Sequence, residues 1–480
     1  MLLKKIMHDR ATRKYLEIGL LTMVLAASIS LLYGWYADMA GAQVGSFEYV
    51  RKGDVLLGEG NFKGSIKYFE KAYDASPENT VIAAKLRNAY FDYATNLAEA
   101  GDCDRSAVCL KRAYTVMPGP RSAGKLALVY AEKASTAIRA GKNEEARSNF
   151  DSALEAASPY ASSSRNLGIF LFNEAIKYYK LGKDETAIVL LKESSLAYKN
   201  AAAFELLGDI YYNKMELKRA RFYFGKGFLL DPENHDIRGK LKKSIIDLRS
   251  AQNRESEESP HFDIRYDKSL PVNTQIVKGL LERCYSDVGK DLKYFPDTKT
   301  VIVFYSQDDF DKIFTMSSGT RAIYDGNIRI PLPGGMIPER ELAEYVCHEY
   351  THAIISAKTS NNGPVWLSEG LAVLEAHKFA GGPLPTGKTW LPDGTKFTIS
   401  ALYAGFNRKD ESEEKIRGDY ALAYSAVRFI IDSWGMAGIS GILDHIKAGK
   451  HFTNAIDEEF LISEKEFERR WKNYSSKITF

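Results

Sequence analysis

Cysteine is scarce in this chain: four in 480 residues, at 103, 109, 284 and 347. That is too few for a disulfide scaffold. Cys103 and Cys109 are the only close pair, yet on one helix their rise alone is about 9 Å, outside the reach of a disulfide. They read as core thiols. No C-x-x-C motif occurs either. An excess of one charge is also lacking, since 65 Lys and Arg face 62 Asp and Glu for a net +3. No basic cluster is interleaved with aromatics, which argues against a nucleic-acid partner. Histidine is sparse as well, with only 8, so any imidazole metal site must draw on very few positions. The length suggests two or three domains with ample core.

Two of those histidines stand in Cys347-His348-Glu349-Tyr350-Thr351-His352-Ala353. His348 and His352 are four positions apart, so on an α-helix they project about 40° from one another and can share one metal ion. Glu349 leans to the same side, where it can reach a water on that metal without being a ligand. A four-coordinate catalytic zinc needs a third protein ligand and one position left for water. Glu369, in Trp366-Leu367-Ser368-Glu369-Gly370, lies 17 positions beyond His352. It opens a second helix, separated from the first by the break at Gly363-Pro364.

The pair H-E-Y-T-H-A and P-V-W-L-S-E-G-L-A resembles the gluzincin zinc metallopeptidases, specifically their compact peptidase MA-like domains. The resemblance implies one Zn2+ ion held by His348, His352 and Glu369, with Glu349 as general base. It also implies an oxyanion donor, a Tyr or His from a later helix. Tyr420 and Tyr424 share a helical face at i,i+4, and Tyr424 is slightly preferred; His377 and His445 are weaker alternatives. In that family the last strand before the active-site helix is an exposed edge to which substrate backbone adds. Arg329 there is either a solvated strand residue or a partner for a substrate carboxylate.

At the N-terminus, Ile18 to Trp35 carries no charge and follows a basic leader of Lys4, Lys5, Arg10, Arg13 and Lys14. Positive charge stays cytoplasmic, so the bulk of the chain is expected outside the cytoplasm, facing the periplasm from a bacterial inner membrane or at a cell surface. Glu17 at one end and Tyr33, Trp35 and Tyr36 at the other read as interfacial anchors. An uncleaved transmembrane helix is preferred. The alternative is a signal peptide cut near Ala40-Gly41-Ala42.

From about residue 46 the chain repeats itself. Residues 201–235 place Phe204, Leu207-Gly208, Tyr211, Ala220, Phe224, Gly227 and Pro232 at the offsets of a 34-residue helix-turn-helix unit. A second copy starts near Ser46, with Gly53, Gly60, Phe62, Phe69, Ala72 and Pro77. Weaker copies phase on Gly101, Gly141 and Gly182. The region resembles tetratricopeptide repeats, about five of them, which implies a stacked all-α solenoid whose groove binds a peptide or protein. Tyr90, Tyr93, Tyr178, Tyr179, Tyr211 and Tyr212 read as packing residues rather than ligand contacts. Asp236 to Arg249 reads as a capping helix with a basic outer face (Arg238, Lys240, Lys242, Lys243), and 250–260 as a polar linker.

Beyond the linker the pattern changes. His261 to Tyr266 alternates as a strand, Asn273 to Tyr294 is helical, Thr300 to Tyr305 is a buried strand, and Asp308 to Phe314 is a short helix. Ile323 to Ile330 reads as two strands around Asp325-Gly326, ending at Pro331. The expectation is therefore multidomain: leader and anchor over 1–45, tetratricopeptide solenoid with cap over 46–249, linker over 250–260, and an α+β thermolysin-like metallopeptidase domain over 261–480. The expected function is an anchored, exported zinc peptidase acting on a peptide or protein substrate, with residues 18–35 in the membrane and a repeat groove that recruits a protein. The alternatives are a non-catalytic scaffold, or a chaperone-like assembly factor carrying an inactive peptidase fold.

Overall fold

A computed structural model describes residues 10–314, 322–332, 337–381, 391, 394–406 and 412–477. Lys4 and Lys5 lie outside the described residues, and so do the side chains of Arg10, Arg13, Glu17, Trp35, Tyr36 and residues 40–42. Contacts divide the chain into two units, Met1–Leu171 with Glu193–Lys199, and Phe172–Lys192 with Asn200–Phe480.

The first unit begins with α1 (Arg10–Gly58). Its apolar stretch Ile18–Tyr33 is exposed along its length. Two polar side chains within it, Thr22 and Ser28, return their hydroxyl protons to the carbonyls of Ile18 and Val24 at 3.0 and 2.8 Å. Both donors are thus satisfied within the helix.

Helix pairs follow: α2 (Phe62–Ala75), α3 (Thr80–Glu99), α4 (Cys103–Val116), α5 (Pro120–Arg139), α6 (Asn143–Ala157), α7 (Ala161–Lys180) and α8 (Asp184–Ala197). Asn61, Asn79 and Asp102 cap three of them by accepting first-turn amides. Cys103 and Cys109 are free thiols packed inside this helical core. The turns within pairs carry Gly60, Gly101, Gly141 and Gly182 at φ between +67° and +81°, a conformation glycine adopts without penalty. These glycines recur at 41, 40 and 41 residues (101 − 60, 141 − 101, 182 − 141) rather than 34. The reason is local. The first helices α3, α5 and α7 are each 20 residues long, against 13 for α9 (Ala201–Asn213). Seven residues are about two further turns, and they explain why the middle copies match a 34-residue template poorly.

In the second unit, α9 pairs with α10 (Leu217–Leu230) and α11 (His235–Ser250) follows. Gly208 lets α9 approach α10 closely, because a Cβ there would meet the Phe224 ring at 2.4 Å. Tyr211 and Tyr212 are buried, as expected of packing residues. The basic face of α11, expected to face solvent, instead makes ion pairs. Lys240 reaches Glu205 and Asp209, both at 2.7 Å, and Lys243 reaches Asp325 at 2.7 Å. Helix α11 is a packing element because Asp247, Ser244 and Ile237 are wholly buried.

The segment expected as a linker, 250–260, contains β1 (Arg254–Glu258), paired antiparallel with β2 (Phe262–Asp267). Its acidic composition suits an edge strand, where charged side chains stay wet. Lys278 neutralises Glu257 at 2.6 Å, and Lys299 neutralises Glu258 at 2.5 Å. The sheet runs β1-β2-β3-β5-β4, with β3 (Thr300–Ser306), β4 (Ile323–Tyr324) and β5 (Ile328–Leu332). The three central strands are parallel and β4 is antiparallel to β5. Strand β5 continues one residue past the expected stop at Pro331. The outermost position belongs to β4, which pairs only with Ile328 and Arg329.

Register aligns Ile264, Ile302 and Ile328 across the sheet. Their side chains pack with α12 (Thr274–Leu292) and α14 (Glu339–Thr359) in one large core. Short α13 (Gln307–Ile313) follows β3. After α14 the chain turns through Ser360 and Asn361 at φ +53° and +61°, and Pro364 precedes α15 (Val365–Ala380). The remainder is α16 (Ile399–Gly405), α17 (Glu413–Lys447), α18 (Phe452–Phe460) and α19 (Glu464–Lys477). Among the described residues one helix, Glu414–Lys447, has the length and composition to cross a membrane. It is half buried against the core, and Gly435 breaks it at φ +71°.

Candidate metal centre

Helix α14 carries His348 and His352 one turn apart, and α15 packs against it. Buried Trp366 and Leu367 tie the start of α15 into the core, which turns Glu369 toward the two imidazoles. His348 Nε2 and His352 Nε2 are 3.2 Å apart. Glu369 Oε2 is 3.5 Å from the former and 3.4 Å from the latter. This oxygen is buried yet makes no hydrogen bond. A tetrahedral zinc with ligands at about 2.0–2.1 Å separates its donor atoms by about 3.3 Å. Among the described residues this is also the one group of His, Cys, Asp and Glu close enough to hold a metal. The donor set therefore fits one zinc ion, and the orphaned carboxylate oxygen has no other partner.

His352 Nδ1 lies 2.7 Å from Ser368 Oγ. That bond turns Nε2 toward the metal position, the usual task of an outer-shell partner. Sequence reasoning passed over Ser368, although it directly precedes Glu369 in the same motif. Burial pushes the Glu369 carboxyl up, but His352 and His348 beside it together outweigh this and hold it well below the usual carboxylate range.

Glu349 is buried, and burial pushes its carboxyl up to about 7, opposed by His348 and aided by the charges of Glu369 and Asp325.

The two tyrosines separate. Tyr420 stands near the Glu369 and Glu349 carboxylates; burial first, then these two charges, raise its pKa. Tyr424 packs in the core, 4% exposed, toward Arg428 and Asp432. Of the two, Tyr420 rather than the slightly preferred Tyr424 is the one near the two glutamates. Helix contact explains it, since Gly370 sits so close to α17 that a Cβ would meet the Ala423 carbonyl at 2.7 Å. Tyr420 lies about one turn before this crossing, with Glu369 and Glu349 as the charges that act on it.

Of the remaining sequence candidates, His445 and Arg329 fall elsewhere, and His377 stands beside the centre. His445 faces Glu458 and Glu459. His377 stands beside Glu344 and His348, held below its ordinary pKa by burial, with Nδ1 buried and unbonded. Arg329 is neither solvated nor free for a substrate: it is wholly buried and paired with Asp247 and Asp325.

Residues 49–79 match the tetratricopeptide repeat family. No curated protein sequence matches the chain. Among solved structures, the chain is similar to a thermophilic TPR protein of Thermus thermophilus, at 18% identity and a TM-score of 0.18, over 42% of this chain and 99% of that one. It is also similar to YrrB, a TPR protein with an unusual peptide-binding site, at 14% identity and a TM-score of 0.20, over 42% and 90%. A third similar structure is an M1 zinc metallopeptidase of Deinococcus radiodurans, at 13% identity and a TM-score of 0.28, over 45% of this chain and about half (51%) of that one. The chain thus carries tetratricopeptide repeat sequence at residues 49–79.

Proposed function

We propose that the chain is a zinc-dependent peptidase of gluzincin type, with a thermolysin-like domain and a repeat array that recruits its peptide or protein substrate. The observation that carries this reading is the triangle of His348, His352 and Glu369 donor atoms at 3.2–3.5 Å, with Tyr420 against it. When bound, one zinc ion supplies a Lewis acid and acidifies water.

The chain's own residues do the rest. Ser368 holds the His352 ring, Glu349 accepts the proton of the attacking water and returns it to the leaving amine, and Tyr420 donates to the developing oxyanion. The exposed apolar stretch Ile18–Tyr33 behind its basic leader supports an N-terminal membrane anchor with the catalytic unit outside the cytoplasm.

Metal analysis and peptide hydrolysis by the purified protein, beside Glu349→Gln, test the assignment. One bound zinc, and cleavage that the variant lacks, support it. A protein that binds no zinc, or cuts nothing the variant leaves intact, is instead a repeat scaffold with an inactive peptidase fold.

A further inference from the structure

We infer that the outer face of α10 docks on an anionic lipid surface, with Phe222 and Leu229 entering the headgroup region and Lys218, Arg221 and Lys226 meeting the lipid charges. The inference rests on the membrane-anchored reading above and is independent of the peptidase chemistry.

Helix α10 carries two apolar ridges. One is packed, since Leu217, Ala220, Phe224 and Gly227 are buried. The other is open: Phe222 is 54% exposed, Leu229 78% and Leu230 43%. Phe222 and Leu229 are seven positions apart, which leaves about 20° between them around the axis, so they form one line on the outer face. A scattered exposed leucine is ordinary. Aligned with a phenylalanine over two turns, it becomes a contiguous patch of the kind that meets a partner.

Charge identifies that partner. The helix holds Lys218, Arg219, Arg221 and Lys226 and no Asp or Glu. Lys218 and Lys226 stand four positions before and after Phe222, about 40° to either side of the ridge. Lys226 Nζ lies 4.6 Å from the centroid of the Phe222 ring, so cation and ring are presented together. The carboxylates at the two ends are accounted for: Glu216 pairs with Arg219 at 2.5 Å, and Asp231 is the C-cap. Among the described residues no carboxylate pairs with Lys218, Arg221 or Lys226, and all three are exposed. The core of a protein interface is depleted in lysine, whereas an apolar ridge flanked by lysines whose stems lie along it is the pattern of a helix lying in a lipid interface. The proposed anchor holds the chain at a bilayer, which raises the effective concentration of headgroups at this face.

The test places full-length protein, through its anchor, in lipid nanodiscs of phosphatidylcholine alone or of an equal mixture with phosphatidylglycerol. Hydroxyl-radical oxidation read by mass spectrometry then reports how exposed each side chain is. Oxidation of Phe222 and Leu229 should fall about fivefold in the anionic discs, since one cation near an anionic surface already favours association by about that factor. Lys218→Glu combined with Arg221→Glu should abolish the protection, as should high salt.

Equal oxidation in both kinds of disc overturns the inference. So does protection that the charge-reversed variant keeps, which marks a second protein copy rather than lipid on the ridge. If the protein does not enter discs, the anchored reading fails. The same footprint with added anionic vesicles then decides the ridge by itself, protection supporting it and unchanged oxidation overturning it.

Discussion

Ser368 Oγ and His352 Nδ1 lie 2.7 Å apart, so that ring nitrogen is engaged and Nε2 is the one turned toward Glu369 and His348. Ser368→Ala should keep the fold and weaken zinc binding by about 10- to 100-fold. Competition against a chromogenic chelator measures this directly. Unchanged affinity would mean that helix packing alone orients the ring.

The two tyrosines of α17 should part company in kinetics. Tyr420→Phe is expected to lower kcat by about 100- to 1,000-fold, the usual cost of one oxyanion donor, with zinc content intact. Tyr424→Phe should leave kcat near wild type, since its hydroxyl points toward Arg428 and Asp432. The opposite ranking would reassign the donor.

Gly370 sets the distance on which Tyr420 depends. Gly370→Ala places a methyl 2.7 Å from the Ala423 carbonyl and from Val427 Cγ2, neither of which can move without shifting α17. A loss of about 1–3 kcal/mol in unfolding free energy is expected, with a fall in kcat beyond any loss of folded protein. Denaturant titration beside active-site titration separates the two effects.

Glu375 makes a pH prediction away from the metal. It is 2% exposed, with Lys378, Asp291 and Asp287 around it. Burial, partly offset by Lys378 and reinforced by Asp291, pushes its carboxyl up to about 8 from 4.5. The folded state therefore binds the proton more tightly than the unfolded state does. Stability from this group is greatest below pH 4.5, declines as pH rises, and is lost once pH passes about 8. Glu375→Gln should remove that slope and stabilise the protein at pH 8–9. Thermal melts across the range would refute this if wild type and variant run parallel.

For the N-terminus, a reporter fused after Phe480 should read as exported. A cytoplasmic readout would reverse the orientation expected from the basic leader.

Much of the centre was readable before any fold was known, because it depends on short spacings. His348 and His352 meet through helix geometry alone, and Glu349 and Ser368 are their immediate sequence neighbours or those of Glu369. The repeats were legible where a 34-residue template applied, at residues 201–235 and near Ser46. They blurred over 80–180 because three first helices are longer.

What stayed hidden depends on packing between distant segments. A one-dimensional pattern cannot say which of two tyrosines four positions apart points at Glu369, since the close approach at Gly370 selects it. The same limit applies to Arg329. Between Ile328 and Ile330 on a strand it reads as a solvated residue, yet it is wholly buried and paired with Asp247, 82 positions earlier. The acidic stretch 254–258 reads as a linker because nothing in its composition announces a partner strand. Local periodicity and spacing specify helices, turns and the ligand pair. Burial is set by contacts across tens of residues, and it decided which tyrosine lies near Glu369, how the hairpin is held and where the edge strand pairs.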